Sequence, residues 1–213
     1  MFLLLQYCPG GDLSEYLQEE KWFNEYKTRF YACEILLAIE ELHRHDIIYW
    51  DLKPDNVVLD EDGHALLTDF GLSKEGIEDT INTKSFCGSY AYLAPEMVRK
   101  IGHGKSVDWY LFGVMIYEML TGIPPYYDND WEVLFFNIVN QDLEFPSHIS
   151  KDCKDLLKKL LHKNPAKRMG SEKGASEIKN HAWFKNINWK DVFHKKIDPP
   201  YPYFKRKVRK GDG

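Results

Sequence analysis

Two short stretches of the sequence carry side chains whose types and spacing could do chemistry. The first runs from Tyr49 to Asn56 and contains Asp51 and Lys53, and the second begins at Asp69. The Asp51 carboxylate could accept or orient the proton of an attacking hydroxyl, and the lysine could stabilise charge on a transferred group. The oxygens of Asn56 and Asp69 are ligands that Mg²⁺ prefers when phosphates complete its shell. The pattern therefore predicts a site that transfers a phosphate.

The alternative interpretation is that these are ordinary polar residues of turns beside a hairpin. One motif alone would favour that alternative. Three motifs occur here in order, however: Asp-Leu-Lys-Pro-x-Asn at 51–56, Asp-Phe-Gly at 69–71 and Ala-Pro-Glu at 94–96. Because these motifs belong to one mechanistic set, their order and separation favour a real site.

A different phosphate-binding motif is suggested by residues 102–106, which read Gly-His-Gly-Lys-Ser. The P-loop pattern requires a glycine where Arg99 stands, and it follows a strand. No strand is predicted before this segment, so we do not expect a P-loop.

The elements on either side must position the candidate site. Residues 25–43 form the clearest amphipathic helix, since their apolar side chains recur on one face. Residues 57–59 and 65–67 flank Asp-Glu-Asp-Gly, which predicts a hairpin with a tight turn. The site lies in the loop between this helix and this hairpin. Upstream, Asp12 and Glu15 predict the capped start of a shorter helix.

The rest of the chain predicts further helices and little sheet. Residues 108–120 are apolar all round, which predicts a buried helix that stops at Gly122. Asp130 and Ser150 are expected to cap two more helices, and Ser176 is expected to open a last short one.

Two segments outside the helices also carry expectations. Residues 1–7 are a short apolar run, which predicts a buried strand and is too short for a signal peptide. Residues 72–92 are polar and without period, which predicts an exposed loop. The longest apolar run, 109–120, is shorter than a membrane span, so no transmembrane segment is expected.

Composition favours a soluble globular protein. The 213 residues are 44% apolar and 29% charged, and the net charge is −5. So mild a charge gives no reason to expect nucleic-acid or membrane partners. Four cysteines far apart argue against a zinc site or a disulfide framework and favour a reducing, cytoplasmic location. A basic run at 205–210 leaves a nuclear location open.

Taken together, the motifs resemble the C-terminal lobe of a eukaryotic protein kinase, in detail the AGC group of Ser/Thr kinases. Further matching pieces lie at 72–75, 85–89, 108–109, 123–126, 164–168, 177–181 and 199–201. The resemblance implies a mainly helical, α+β kinase-like fold. It also implies a hinge strand plus C-terminal lobe over residues 1–184 and an AGC-like extension with a basic end over 185–213.

For chemistry, the resemblance implies a Ser/Thr protein kinase that uses ATP and Mg²⁺. Asp51 and Lys53 would be catalytic, and Asn56 and Asp69 would hold the metal.

The resemblance also implies a place for the nucleotide. Gln6 and Cys8 would lie at the hinge that meets adenine. Asp12 would bind the ribose, although its role as a helix cap is an equally good explanation for it.

For partners, the resemblance implies protein substrates that are basic around the target hydroxyl. Asp55 and Glu118 would read those basic residues, and Ser89 would contact the substrate. Ser85 occupies the activation-loop phosphosite, which implies an upstream activating kinase; the alternative is a plain exposed serine.

Three residues would be structural by the same resemblance. Glu96 and Arg168 match a buried ion pair that ties the activation loop's end to the late helices. Asp108 matches a buried acid that braces the backbone of the catalytic loop.

Two departures from the family pattern lower the expected activity. The sequence contains no Gly-x-Gly-x-x-Gly loop and no strand lysine to hold the other side of ATP, so this chain alone is expected to show little or no activity. Trp50 replaces the arginine that would pair with an activation-loop phosphate, and an indole cannot make that ion pair. Either this is part of an AGC-like kinase, or it is a truncated pseudokinase that binds proteins without catalysis.

Overall fold

A computed structural model of the chain describes residues 6–72, 90–101 and 104–201. Within these ranges the chain is mainly helical and has one two-stranded antiparallel sheet, as predicted. The helices are α1 (Leu13–Glu20), α2 (Glu25–Arg44), α3 (Pro95–Val98), α4 (Ser106–Thr121), α5 (Trp131–Asn140), α6 (Lys151–Leu160), α7 (Ala175–Lys179) and α8 (Trp189–Phe193). The strands are β1 (Val57–Leu59) and β2 (Ala65–Leu67).

Helix α2 is the predicted amphipathic helix and packs against both α4 and β2. The Asn24 side chain caps its start by accepting a hydrogen bond from the Lys27 backbone N–H at 2.9 Å. Its apolar stripe is buried, including Ile35, Leu36 and Ile39. Basic residues in the last turn suit the negative end of the helix dipole. The helix therefore delivers the following loop from a fixed position.

The predicted hairpin forms with Val57 opposite Leu67. Its turn is held by Asp60, whose Oδ1 accepts hydrogen bonds from three backbone N–H groups at 2.9–3.0 Å. Gly63 has a φ of 97°, which suits glycine. Residues 10–12 pair with the free edge of β1 through two backbone hydrogen bonds of 2.9 and 3.0 Å between Gly10–Gly11 and Leu59.

The prediction of a buried strand at the start of the chain is wrong for its described part. Gln6 and Tyr7 belong to no strand, and Tyr7 is 82% exposed. Pairing with β1 begins only at Gly10, beyond the apolar run that suggested the strand. Residues 1–5 lie outside the described residues.

Helix α4 is the central helix, and almost every side chain on it is buried. This confirms the prediction from its all-round apolar sequence. Gly113 allows α6 to approach closely, because a Cβ there would lie 2.9 Å from the Leu160 Cβ. Gly122 ends the helix in the left-handed conformation, with a φ of 83°.

Two further predictions need correction. Helix α7 starts at Ala175 and is not the last helix, because α8 follows it. Residues 90–92 were expected in an exposed loop, yet Ala91 is buried and the Tyr90 ring contacts Phe135 of α5 edge-on at 5.6 Å. These residues pack because α5 supplies an aromatic surface that is remote in sequence.

The C-terminal segment, residues 185–201, returns to the first helices. The Tyr201 ring lies 4.6 Å from the Tyr16 ring of α1 and parallel to the Tyr31 ring of α2. The Lys27 ammonium donates a hydrogen bond to the Tyr201 hydroxyl at 2.9 Å. No helix in the described ranges is both long and apolar enough to cross a membrane.

Candidate active site

Three of the predicted site residues meet in the loop between α2 and β1. The Lys53 ammonium lies 3.0 and 3.1 Å from the two carboxylate oxygens of Asp51. The Asn56 amide nitrogen donates to the Asp51 carboxylate at 2.7 Å and to its backbone carbonyl at 2.8 Å. Asp51 and Lys53 are each about one-fifth exposed, so the carboxylate is oriented by its neighbours and still reachable from solvent.

Asp108 on α4 holds the backbone just before Asp51. One Asp108 oxygen accepts from the Tyr49 N–H and the other from the Trp50 N–H, both at 2.9 Å. Its carboxylate also contacts the His43 imidazole at 2.7 Å. Trp50 has a φ of 69°, which is unfavourable for a bulky residue. The fully buried Asp108 therefore holds the loop in a conformation that it would not adopt freely.

Asp69 is brought to the same place by the end of β2. The N–H of Thr68, its neighbour, donates to the Asn56 carbonyl at 3.0 Å. The Tyr49 hydroxyl donates to the Thr68 carbonyl, and the Tyr49 ring meets Phe70 edge-on at 5.5 Å. Burial raises the pKa of the Tyr49 phenol, and the charges of Asp51 and Asp69 raise it further. The two carboxylates thus flank one buried phenol.

The side-chain oxygens at this site suit an Mg²⁺ ion that also binds phosphates better than they suit a metal ion bound by protein groups alone. The described ranges contain no group of three or more His, Cys, Asp and Glu side chains that could cage an ion. The Asn56 nitrogen is occupied by Asp51, so its amide oxygen is the end left for a cation. Asp69 supplies a carboxylate and has a left-handed φ of 55°. Two hard oxygen donors are what Mg²⁺ takes from protein when phosphates supply the rest.

Two of the predicted nucleotide-binding residues, Cys8 and Asp12, lie along the hairpin rather than inside this cluster. Asp12 pairs with Val58 in the middle of β1, while Cys8 lies towards the turn. Burial and then the charge of Asp60 raise the pKa of the Cys8 thiol. Asp12 caps α1, since its Oδ1 accepts from the Glu15 N–H at 3.0 Å and from the Ser14 hydroxyl at 2.5 Å. Gln6 is exposed.

Asp55 and Glu118 form a pair of acids beside the cluster. Asp55 is exposed next to Asn56, and Glu118 reaches it from α4. Burial, followed by the nearby charge of Asp55, raises the pKa of Glu118 to about 8. Its Oε2 is buried and makes no hydrogen bond to any described residue. Asp55 and Glu118 therefore place two carboxyl groups close together beside the cluster.

Glu96 and Arg168 form a bidentate ion pair with N–O distances of 2.6 and 2.8 Å, and both side chains are fully buried. The guanidinium also donates to the Ser106 carbonyl at 2.8 Å, which connects α3 to the start of α4. Ser85 and Ser89 lie outside the described residues.

Sequence reasoning missed His43, which contacts Asp108. Nothing in its sequence position, one residue before the end of α2, separates it from an ordinary polar helix end.

The family model and the relatives that match this chain all point to one family. A model described as "Protein kinase domain" matches residues 1–184. The human "Serine/threonine-protein kinase Sgk2" is 47% identical over 201 residues, which cover 94% of this chain and 55% of that protein. The "Serine/threonine-protein kinase gad8" of Schizosaccharomyces pombe is 46% identical over 201 residues, covering 94% of this chain and 35% of that protein. The chain spans about half or less of these curated relatives.

Proposed function

The chain belongs to the protein kinase domain family, within its AGC group of serine/threonine kinases, and from this we propose that the whole protein phosphorylates protein Ser/Thr hydroxyls. The observation that carries the proposal is the Asp51 carboxylate, which Lys53 and Asn56 orient, with the charges of Asp51 and Asp69 both acting on Tyr49. ATP would be the phosphate donor and Mg²⁺ the cofactor, as is general in this family.

In this proposal each residue of the cluster has a separate role. Asp51 orients the substrate hydroxyl and accepts its proton as the oxygen–phosphorus bond forms and the bond to ADP breaks. Lys53 is close enough to Asp51 to stabilise charge on the phosphoryl group in transit. Asn56 and Asp69 would hold Mg²⁺, which when bound neutralises charge on the ATP phosphates.

We propose that the nucleotide lies along β1. Adenine would lie near Gln6 and Cys8, and the ribose near Asp12, while the phosphates would extend to Asn56 and Asp69. The support is geometric, since Cys8 lies towards the hairpin turn and Asn56 lies at the opposite end of β1. Asp12 can serve as both cap and ligand, because the cap uses only one of its oxygens.

The substrate class follows from the acidic pair. A buried carboxyl with no hydrogen-bond partner beside a second acid favours a cation, and a guanidinium could bind both carboxylates. We propose that Asp55 and Glu118 bind a basic residue of the protein substrate. Ser89 as a substrate contact and Ser85 as the target of an upstream kinase remain proposals from the sequence.

The same proposal assigns residues 1–184 to the kinase domain and 185–213 to an AGC-like extension. These 213 residues contain neither a glycine-rich loop nor a strand lysine, so we expect the chain alone to be inactive. The second candidate function is a pseudokinase that binds protein partners. Trp50 favours it, because an indole cannot pair with an activation-loop phosphate.

The test is phosphorylation of an Arg-rich serine peptide by the whole protein with Mg-ATP. Asp51→Asn should lower kcat by about 10²–10⁴-fold, because the proton acceptor is lost. Asp62→Asn, an exposed acid in the hairpin turn, is the control and should leave kcat unchanged. Equal rates for Asp51→Asn and the wild type would contradict the mechanism, and peptide binding without any transfer would favour the pseudokinase.

A further inference from the structure

The solvent side of helix α5 carries large apolar side chains. Seven of the ten residues of this helix are apolar, yet only Leu134 and Ile138 are buried. Val133 and Phe136 are 42% and 64% exposed. Because these two residues are three positions apart, they are neighbours on one face of the helix. Burial explains the apolar sequence of α4, but it does not explain these two side chains on α5.

The same side of α5 is acidic. Residues 106–150 contain seven Asp and Glu residues and no lysine or arginine. Glu132 is exposed and lies one turn from Phe136. An acid in the first turn suits the helix dipole, but the dipole does not explain why the whole stretch lacks basic residues. The charge of Arg99 acts at the other end of the helix, on Lys163. We call Glu132, Val133 and Phe136 the α5 surface.

Both ends of α5 are fixed in the fold. At its start, the Asp130 carboxylate accepts a hydrogen bond from the Glu132 N–H at 2.8 Å. At its end, the Lys163 ammonium donates to the Ile138 carbonyl at 2.6 Å and lies 3.5 Å from the centre of the Tyr126 ring. A partner would therefore bind a helix that is already positioned, which lowers the entropic cost of binding.

We propose that the α5 surface binds a helical segment of a partner protein that carries large apolar side chains with lysine or arginine beside them. The apolar side chains of the partner pack against Val133 and Phe136, and a basic side chain reaches Glu132. A helix suits this surface, because the two neighbouring side chains on α5 form a ridge that fits between the side chains of a second helix. The site does not depend on the proposed kinase chemistry.

Charge argues against a second copy of this chain as the partner on the same surface. In a two-fold symmetric dimer the α5 surface would face itself. The acids around Glu132 would then meet acids, and like charges that face each other oppose binding. A partner with basic residues has no such penalty.

The test uses the full 213-residue chain and two designed helical peptides without serine, threonine or tyrosine. One peptide has leucine along one face with lysine on both sides of it, and the other has glutamate in place of each lysine. Binding is measured by isothermal titration calorimetry. The lysine peptide should bind, and the glutamate peptide should bind at least about tenfold more weakly.

Variants of the α5 surface test the location of the site. Phe136→Ser should weaken binding of the lysine peptide by about tenfold. Phe193→Ser is the matched control, since that ring is 71% exposed on α8, and it should bind the peptide like the wild type. Glu132→Lys should reverse the preference between the two peptides, whereas Glu61→Lys, at an exposed acid of the hairpin turn, should not.

Circular dichroism checks that each variant is folded, and Val133→Ser replaces Phe136→Ser if that variant is not. The proposal is overturned if the lysine peptide does not bind the wild type, or if a folded Phe136→Ser protein binds it as well as Phe193→Ser does. It is also overturned if Asp55→Asn weakens binding more than Phe136→Ser, because the peptide would then lie at the candidate active site. None of these measurements requires phosphate transfer, so the proposed kinase function can fail separately.

Discussion

At the candidate site, one buried carboxylate controls a backbone conformation that the sequence would not favour. Asp108 accepts two backbone N–H groups from the loop and contacts His43. The Trp50 N–H is one of these groups, and Trp50 has a left-handed φ. The hydrogen bonds to this charged group offset the backbone strain at position 50. Asp51 follows directly in the chain, so these hydrogen bonds also help to position it.

Glu118 makes stability depend on pH. Its carboxyl keeps its proton to about pH 8 in the folded protein, against an ordinary pKa of 4.5. The folded state then binds more protons than the unfolded state between these values, so stability falls as pH rises from 4.5 to about 8. We expect Glu118→Gln to raise the melting temperature at pH 8 and to change it little at pH 5.

Calorimetry at the two pH values measures this effect. Glu132→Gln, an exposed acid on α5, is the control and should show no such difference. A Glu118→Gln protein with equal shifts at pH 5 and pH 8 would show that burial does not hold the proton.

The Glu96–Arg168 pair predicts a large stability loss when one partner is removed. Glu96→Gln leaves a fully buried guanidinium without its counter-ion, so the free energy of unfolding should fall by about 3–5 kcal/mol. Chemical denaturation measures the change. The exposed pair of Arg44 with Glu41 is the comparison, and Arg44→Met should have no measurable effect. Equal effects at the two sites would contradict the burial argument.

At the scale of elements, the position of α4 depends on the glycine that ends it, because only a glycine fits there without strain or a clash. A Cβ on Gly122 would lie 2.2 Å from the Lys21 carbonyl oxygen, and its φ is 83°. Gly122→Ala combines a clash with backbone strain, so the expected loss of unfolding free energy is about 3 kcal/mol.

Gly174→Ala separates these two causes. Gly174 also has a positive φ, 59°, but no atom lies within 4 Å of an added Cβ. Its ψ of −147° lies in a region that is almost restricted to glycine, so strain alone should cost about 2 kcal/mol there. Urea denaturation of both variants provides the comparison, and equal losses would mean that the contact with Lys21 relaxes freely.

Local signals predicted most of the elements. Asp12 and Ser150 cap the helices that they were expected to start, and Asp60 lies in the expected turn. What the sequence could not predict depends on remote contacts. The pairing of residues 10–12 with β1 and the burial of Ala91 both need partners tens of residues away.

For the candidate site too, local signals predicted some features, while others depend on remote contacts. The motif order predicted Asp51, Lys53 and Asn56 as one cluster, because they share a single loop. The contact of His43 with Asp108 joins two helices and has no local signature. The raised pKa of Glu118 arises from burial, which only the packed structure provides.

At the scale of the whole molecule, the C-terminal segment packs against α1 and α2. The Tyr201 ring packs against Tyr16, Phe23 and Tyr31. Tyr201→Ala should therefore lower the free energy of unfolding by about 2 kcal/mol, less than for a fully buried ring because Tyr201 is half-buried.

Thermal unfolding of the full chain measures this loss. Phe193→Ala is the matched control, since that ring belongs to the same segment and is 71% exposed. Its melting temperature should equal that of the wild type. A larger loss at Phe193 than at Tyr201 would show that the segment is not anchored through its last described residue.

The bond between Lys27 and Tyr201 has a consequence for biosynthesis. It joins positions that are 174 residues apart, and Lys195 meets Asp60 across 135 residues. During synthesis on the ribosome, α1, α2 and the hairpin emerge long before these partners. Until the partners are synthesised, the apolar surface that they cover stays exposed to solvent. Contacts of such high order slow folding, and a waiting apolar surface is what chaperones bind. The contacts of Tyr201 and Lys195 can therefore form only after nearly all of the described residues have been synthesised.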